Sequence, residues 1–410
     1  MALDPAALDR LRSAILADPA LEKRLGAIED NAVFALSSAE AAQALGIALT
    51  PGDATEALKM DVLGLLPPPA PPFFLRRWPP VDWLPIRMAQ LPESGVVVEW
   101  AYFAERRLRD PFFETSVWHA ARHPLSRLLR CRTGLDDFLR GAEEAAVPAP
   151  DGLVYHCSRC GSTLVAQMLA QPASHLVVSE AMPLDFMVQL ATLRRDLPLA
   201  LRASFLVAMV KALTRWRAAG AEHAFVKLDC WHTFELPLFR AAFPDVPWIF
   251  LHREPIEVLV SQMRQRGVQT IPGVVASIAA HVPLEEPLGE AVNGADYCAR
   301  VLGRIDAAAV EHFALGGGLI VNYDELPDAM FARILPHFGI AADEETRAAM
   351  RAAARWDAKA PSFEFASDRA AKRDAATDEV RAAASRHMAG PYAALEALEA
   401  LEARERGAGV

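Results

Sequence analysis

At 410 residues the chain has room for two or three domains, and with 52% apolar and 23% charged residues it can bury a large core. Its formal net charge of −10 excludes broad electrostatic binding to nucleic acid or to an anionic membrane, so an anionic ligand needs a local basic site. No apolar run approaches the roughly 18 residues that span a bilayer.

Residues 1–66 read as a small helical domain. Leu8, Leu11 and Ile15, then Leu21, Leu25 and Ile28, recur at helical spacing, and Thr50-Pro51-Gly52-Asp53 marks a turn into a further helix. With Asp18-Pro19-Ala20-Leu21 and Leu45-Gly46-Ile47-Ala48-Leu49-Thr50, this unit resembles the helical leader-type domain of peptide-natural-product precursors. Any short helical bundle fits the pattern equally. The run Pro67-Pro68-Pro69-Ala70-Pro71-Pro72 then predicts an extended linker over 67–80.

Residues 81–150 form an aromatic-rich accessory region with an α+β reading. Trp78, Trp83, Trp100, Tyr102, Phe103, Phe112, Phe113 and Trp118 suit a core, and an acceptor pocket is the second reading.

From residue 151 strands alternate with helices. Leu153–Tyr155, Leu176–Val178, Ala224–Lys227, Trp248–Leu251 and Leu319–Asn322 predict a parallel sheet flanked by helices, an α/β fold. A long helix is expected over Ala295–Leu315, stopped by Gly316-Gly317-Gly318, and helix again over the tail Glu379–Glu405. Ligands of such sheets sit at the carboxyl ends of the strands.

The first strand runs into His156-Cys157-Ser158-Arg159-Cys160-Gly161-Ser162-Thr163 and then a helix. Free backbone N–H groups and the positive end of a helix dipole converge there, a site for phosphate or sulfate. Arg159 adds charge, and Ser162 and Thr163 add hydroxyls. The loop lacks the lysine and first glycine of a nucleotide-triphosphatase loop, which leaves magnesium–triphosphate chemistry unsupported. The fourth strand ends at Arg253, with Ser261 eight residues on, able to clamp a second phosphate. The last strand closes on Tyr323-Asp324-Glu325-Leu326.

Taken in this order, the three motifs resemble the sulfotransferase superfamily over residues 151–340, closest in pattern to bacterial and protein-tyrosine-type members. That resemblance implies a P-loop-like sulfotransferase domain over 151–390, followed by a C-terminal helix over 391–410. It implies transfer of a sulfuryl group from 3′-phosphoadenosine-5′-phosphosulfate (PAPS) to a hydroxyl or amine, leaving 3′-phosphoadenosine-5′-phosphate (PAP). Ser158, Arg159, Cys160, Gly161, Ser162 and Thr163 correspond to the 5′-phosphosulfate loop, Arg253 and Ser261 to the 3′-phosphate motif, and Tyr323 to the residue near the adenine. Lys227 matches a lysine near the transferring group; otherwise it is a strand-end lysine reaching solvent. Glu180 falls where several relatives place the base. Asp229 stands where others have histidine, and His232 is a third choice. The family's glycine-rich, lysine-containing C-terminal loop is missing in its usual form; Asp368-Arg369-Ala370-Ala371-Lys372-Arg373 could substitute through Lys372, or be a solvated face.

The five cysteines, Cys131, Cys157, Cys160, Cys230 and Cys298, are odd in number and scattered, and the start Met1-Ala2-Leu3-Asp4-Pro5 has no signal-peptide core, which points to the cytoplasm. Cys157-Ser158-Arg159-Cys160 also fits a thioredoxin-like oxidoreductase, though Arg253, Ser261 and Tyr323 would go unexplained. A non-catalytic nucleotide- or peptide-binding protein is a further alternative. Zinc needs more ligands than are evident, and no metal is expected. The acceptor, whether small molecule, carbohydrate or peptide, is open, as is homo-oligomerisation.

Overall fold

A computed structural model describes residues 3–59, 70–103, 106–216, 220–282, 294–356 and 369–408. The chain forms two compact units. The first comprises Met1–Leu108, Phe112–Val147 and Lys211–Ala219; the second comprises Arg109–Pro111, Pro148–Val210 and Gly220–Val410.

In the first unit, helices span Pro5–Ala17, Pro19–Gly26, Asn31–Ala44 and Pro51–Ala57. Each begins where an acid or threonine side chain accepts from first-turn N–H groups: Asp4, Asp18, Asp30 and, in a reciprocal box with Asp53, Thr50. The periodic residues Leu8, Leu11, Ile15, Leu21 and Leu25 are buried as their spacing demands.

Strands β1 (Phe73–Leu75), β2 (Trp83–Leu91), β3 (Gly95–Tyr102) and β4 (Cys131–Gly134) form a sheet in the order β1-β4-β3-β2. Strand β1 lies within 67–80, and Arg12 Nη1 donates to the Pro71 carbonyl at 3.0 Å. Pro67 to Pro69 lie outside the described residues. The aromatic residues Trp83, Trp100, Tyr102, Phe103 and Phe113 are core, whereas Trp118 is 54% exposed.

The second unit is the α/β body. Strands β5 (Gly152–His156), β6 (His175–Ser179), β7 (His223–Lys227), β8 (Trp248–His252) and β9 (Gly318–Asn322) make an all-parallel sheet in the order β6-β7-β5-β8-β9. The expected strands match these within a residue or two at each end. The interiors of all five are buried apolar runs, as helices on both faces require. The first strand, β5, is central. The chain adds β6 and β7 on one side of it, then crosses to β8 and β9 on the other. That reversal opens a crevice at the carboxyl end of β5.

The long helix runs from Gly294 to His312, with a 3-10 turn over Phe313–Leu315 and Gly316 at φ +78°. The expected single tail helix is two, Asp378–His387 and Ala389–Ala408, breaking at the fully buried Met388. The last helix lies along the outer edge of β9. Its Glu399 accepts from the Asn322 N–H at 3.2 Å and its Glu402 from the Ile320 N–H at 3.4 Å. Side-chain oxygens thus stand where a sixth strand would pair, which blunts the sheet edge. No described helix is long and apolar enough to cross a membrane.

Candidate active site

The loop after β5 turns sharply because Ser158, Arg159 and Gly161 take positive φ values of 72°, 54° and 85°. Glycine is required at 161 on a second count. A Cβ there would lie 2.7 Å from Cδ2 of Tyr323, so only a bare backbone lets the loop approach that ring. Ser158, Arg159 and Glu180 are three of the four non-glycine residues with positive φ among the described residues. Backbone strain is therefore concentrated here.

Helix Ser162–Leu169 starts at Gly161 with no side chain capping it, so its first N–H groups and dipole face the loop unscreened by a carboxylate. The Ser158 N–H donates to His156 Nδ1 at 3.0 Å. The Ser158 hydroxyl accepts from Gln262 Nε2 at 3.0 Å and Gln269 Nε2 at 3.1 Å, leaving its own proton to give. The Arg159 guanidinium donates to the carbonyl and side-chain oxygens of Gln265, at 2.7 and 3.2 Å.

Next to the loop lie the ends of β6 and β7. Register places Ser179 opposite Lys227, and the Glu180 N–H donates to the Lys227 carbonyl at 2.8 Å. Lys227 does not reach solvent: its side chain is fully buried and pairs with Glu180 Oε1. His156 Nε2 lies 3.3 Å from the same oxygen and 3.0 Å from the Leu228 carbonyl. Burial by itself would raise the Glu180 carboxyl, but Lys227 and His156 outweigh it and hold the group well below the usual carboxylate range.

Asp229 behaves in the opposite way. Burial, reinforced by the charges of Glu180 and Asp185, pushes it well above the usual range. Asp185, in the first turn of helix Met182–Leu193, accepts from Trp231 Nε1 at 2.7 Å and lies 2.9 Å from His232 Nε2. Ligand atoms of Asp185, Asp229 and His232 all fall within 4.8 Å of one another, so these three could hold a cation; Asp185 and His232 are already bonded to each other.

Across the crevice, Arg253 follows β8. Its Nε donates to Glu257 Oε2, one helical turn on, at 2.8 Å, and its Nη2 lies 2.7 Å from the same oxygen. Its guanidinium carbon lies 4.0 Å from the centre of the Tyr323 ring, and its Nη1 donates to the Arg159 carbonyl at 3.5 Å. Ser261 is one turn beyond Glu257 on helix Pro255–Arg264 and half-buried. Fully buried Glu257 also accepts from Arg369 Nε at 3.3 Å and Arg373 Nε at 3.0 Å. Helix Arg369–Asp374 is therefore drawn to the Arg253 helix, and its Lys372 is buried rather than solvated; Asp368 lies outside the described residues.

The structure thus brings the loop, Glu180, Lys227, Asp229, Arg253 and Tyr323 to the carboxyl ends of five adjacent strands. Sequence reading missed Asp185, Gln262, Gln269 and the shared Glu257. Only Asp185 left a trace, as a lone acid inside the apolar run Met182-Pro183-Leu184-Asp185-Phe186-Met187-Val188.

No family model matches the chain. No curated protein matches it either. Among solved structures it is similar to a sulfotransferase, STF9, from Mycobacterium avium: 11% identity and a TM-score of 0.36, over 52% of this chain and 69% of that one. The sulfotransferase domain from the curacin biosynthetic pathway gives 14% and 0.33, over 59% of this chain and 98% of that one. The sulfotransferase domain of the Synechococcus PCC 7002 olefin synthase gives 15% and 0.34, over 59% and 96%. Overlaps of this extent carry no argument, and the functional reading rests on the site itself.

Proposed function

We propose that the chain is a sulfotransferase that moves a sulfuryl group from PAPS to an acceptor hydroxyl or amine. One observation carries the reading: a fully buried lysine and a strained carboxylate face each other beside an uncapped anion loop, with a buried arginine across the crevice. A donor with one reacting anionic end and one spectator phosphate suits that division.

In this reading the backbone of Ser158 to Gly161, the hydroxyls of Ser162 and Thr163, and Arg159 bind the phosphosulfate end. Arg253 and Ser261 bind the 3′-phosphate, and Tyr323, already against Arg253 and Gly161, flanks the base; Lys372 closes this side. The acceptor oxygen attacks sulfur, the bond from sulfur to the bridging oxygen breaks, and PAP leaves. Charge grows on the bridging oxygen, where Lys227 and Arg159 donate.

Glu180 takes the acceptor proton. It is ionised in the resting site, as a base must be. When Lys227 turns its protons to the transferring group, Glu180 loses its partner and its proton affinity rises. Asp229, whose carboxyl burial pushes up, suits a hydrogen-bond donor better than a base. Calorimetry with PAP tests the reading: saturable binding is expected, weakened by Arg253→Ala, and no binding at millimolar ligand would refute it.

A further inference from the structure

A cavity of about 360 Å³ opens in the α/β body between helix Ala276–His281, helix Gly294–His312 and the junction of the last two helices. That is the size of a small-ligand pocket. None of its lining residues belongs to the crevice at the strand ends. Every ionisable residue that lines it is basic: Arg300 and Arg304 from the long helix, Arg386 and His387 from the end of helix Asp378–His387, and His281. No carboxylate lines it among the described residues. In a chain of net charge −10 this is a local reversal of sign. Arg300 and Arg304 stand one turn apart on one helix face, where like charges repel.

Acids hold these groups from behind the wall. Glu311 accepts from Arg304 Nη1 at 2.6 Å and from Nη2 at 3.3 Å. Asp296 Oδ1 accepts from Arg386 Nη1 at 2.6 Å and lies 2.9 Å from His387 Nε2. The His281 ring stacks on Phe234 with centres 4.3 Å apart, and its Nε2 lies 3.7 Å from Glu235 Oε1. Each contact fixes a side chain but uses only part of its donors. An arginine has five N–H groups, and Glu311 takes two of those of Arg304. Gly303 brings the two arginine-bearing helices together: a Cβ there would collide with the His387 carbonyl oxygen. With Ala307 it also keeps the cavity floor low and apolar.

We propose that this cavity is a binding site for a compact organic phosphate, a phosphate monoester held by its dianionic head. The basic groups come from three helices, so their N–H groups reach a ligand from several directions. A planar carboxylate is satisfied by one arginine fork, whereas three terminal phosphate oxygens carrying two charges can use them all. The volume leaves room beside the head for a short organic group on the apolar floor. The site stands apart from sulfuryl transfer: none of its residues serves the proposed reaction, and no bond is made or broken there.

The test is calorimetry of the full chain with glycerol 3-phosphate, with lactate as the carboxylate control. Saturable binding of the phosphate ester is expected. Arg300→Gln with Arg304→Gln should weaken it about tenfold or more, since charge-assisted hydrogen bonds are lost. Arg386→Ala should weaken it too, and this side chain is 64% exposed, so the fold should survive the change. Arg253→Ala should bind within about twofold of the parent, because distant sites act independently. That separates the cavity from the crevice whatever becomes of the sulfotransferase reading. No saturable binding at millimolar phosphate ester would overturn the proposal. So would loss of binding in Arg253→Ala, full binding in the cavity variants, or lactate binding more tightly than the phosphate ester.

Discussion

Buried Lys227 and half-buried Glu180 form an ion pair at the carboxyl ends of adjacent parallel strands. Strand register sets it. Ser179 lies opposite Lys227, and the Glu180 N–H is bonded to the Lys227 carbonyl, so the chain must turn out of β6 at Glu180 with φ +52°. The side chain then points at the ammonium instead of continuing the strand.

This pair predicts a pH dependence. Glu180 has a depressed pKa in the folded chain, so its ionised form is lost only as pH falls through a value below the usual carboxylate range. The acid limb of kcat/KM should therefore lie below that range. Lys227→Met should cut turnover sharply and move the limb of the residual activity to higher pH. An unmoved limb would remove Glu180 from the base role. Glu180→Gln should lower kcat about 10²–10⁴-fold and leave PAP affinity within a few-fold.

Arg159 and Arg253 should separate kinetically. Arg159→Ala removes a donor from the reacting end and should lower kcat about 10²–10³-fold. Arg253→Ala should mainly raise the Kd for PAP, because in the proposed reading Arg253 holds the spectator phosphate, which is unchanged between ground and transition states. Steady-state kinetics with calorimetry checks both, and equal small effects would count against the site.

Glu22 ties stability to pH in the first unit. It is 4% exposed, bonded to Trp83 Nε1, and burial raises it to about 7. The folded chain holds this proton more tightly than the unfolded chain. Stability from this group is full below the ordinary carboxylate value and is lost as pH rises to about 7. The whole effect is at most about 3 kcal/mol. Glu22→Gln keeps an acceptor for Trp83 without the ionisation, so urea unfolding of the variant should show a smaller loss of stability between pH 5 and pH 8.

The edge of β9 gives a stability test without chemistry. Replacing Glu399 and Glu402 by alanine removes acceptors for the N–H groups of Asn322 and Ile320 and two partners of Arg333. The double variant should lose roughly 2–4 kcal/mol by urea unfolding. It should also self-associate more readily in light scattering, since an open strand edge recruits another.

The five parallel strands and the motifs at their ends were legible because each depends on local pattern. Apolar runs marked strands buried on both faces, Gly161 lay in the turn after the first of them, and Gly316-Gly317-Gly318 marked the end of the long helix. Contacts between distant segments were not legible. Glu257 is shared by Arg253, Arg369 and Arg373, and Ser158 is held by Gln262 and Gln269, more than a hundred residues away. Glutamate and glutamine on a helix carry no mark of such partners.

By itself, then, the sequence determined the α/β order, the loop after β5, and which charged residues stand at strand ends, since periodicity and backbone sterics act over a few residues. Tertiary structure alone decided that Lys227 is buried against Glu180, and that the Asp229 carboxyl is pushed up while that of Glu180 is held down. Those states depend on burial and on charges brought together from separate strands, and both arise only when the sheet assembles.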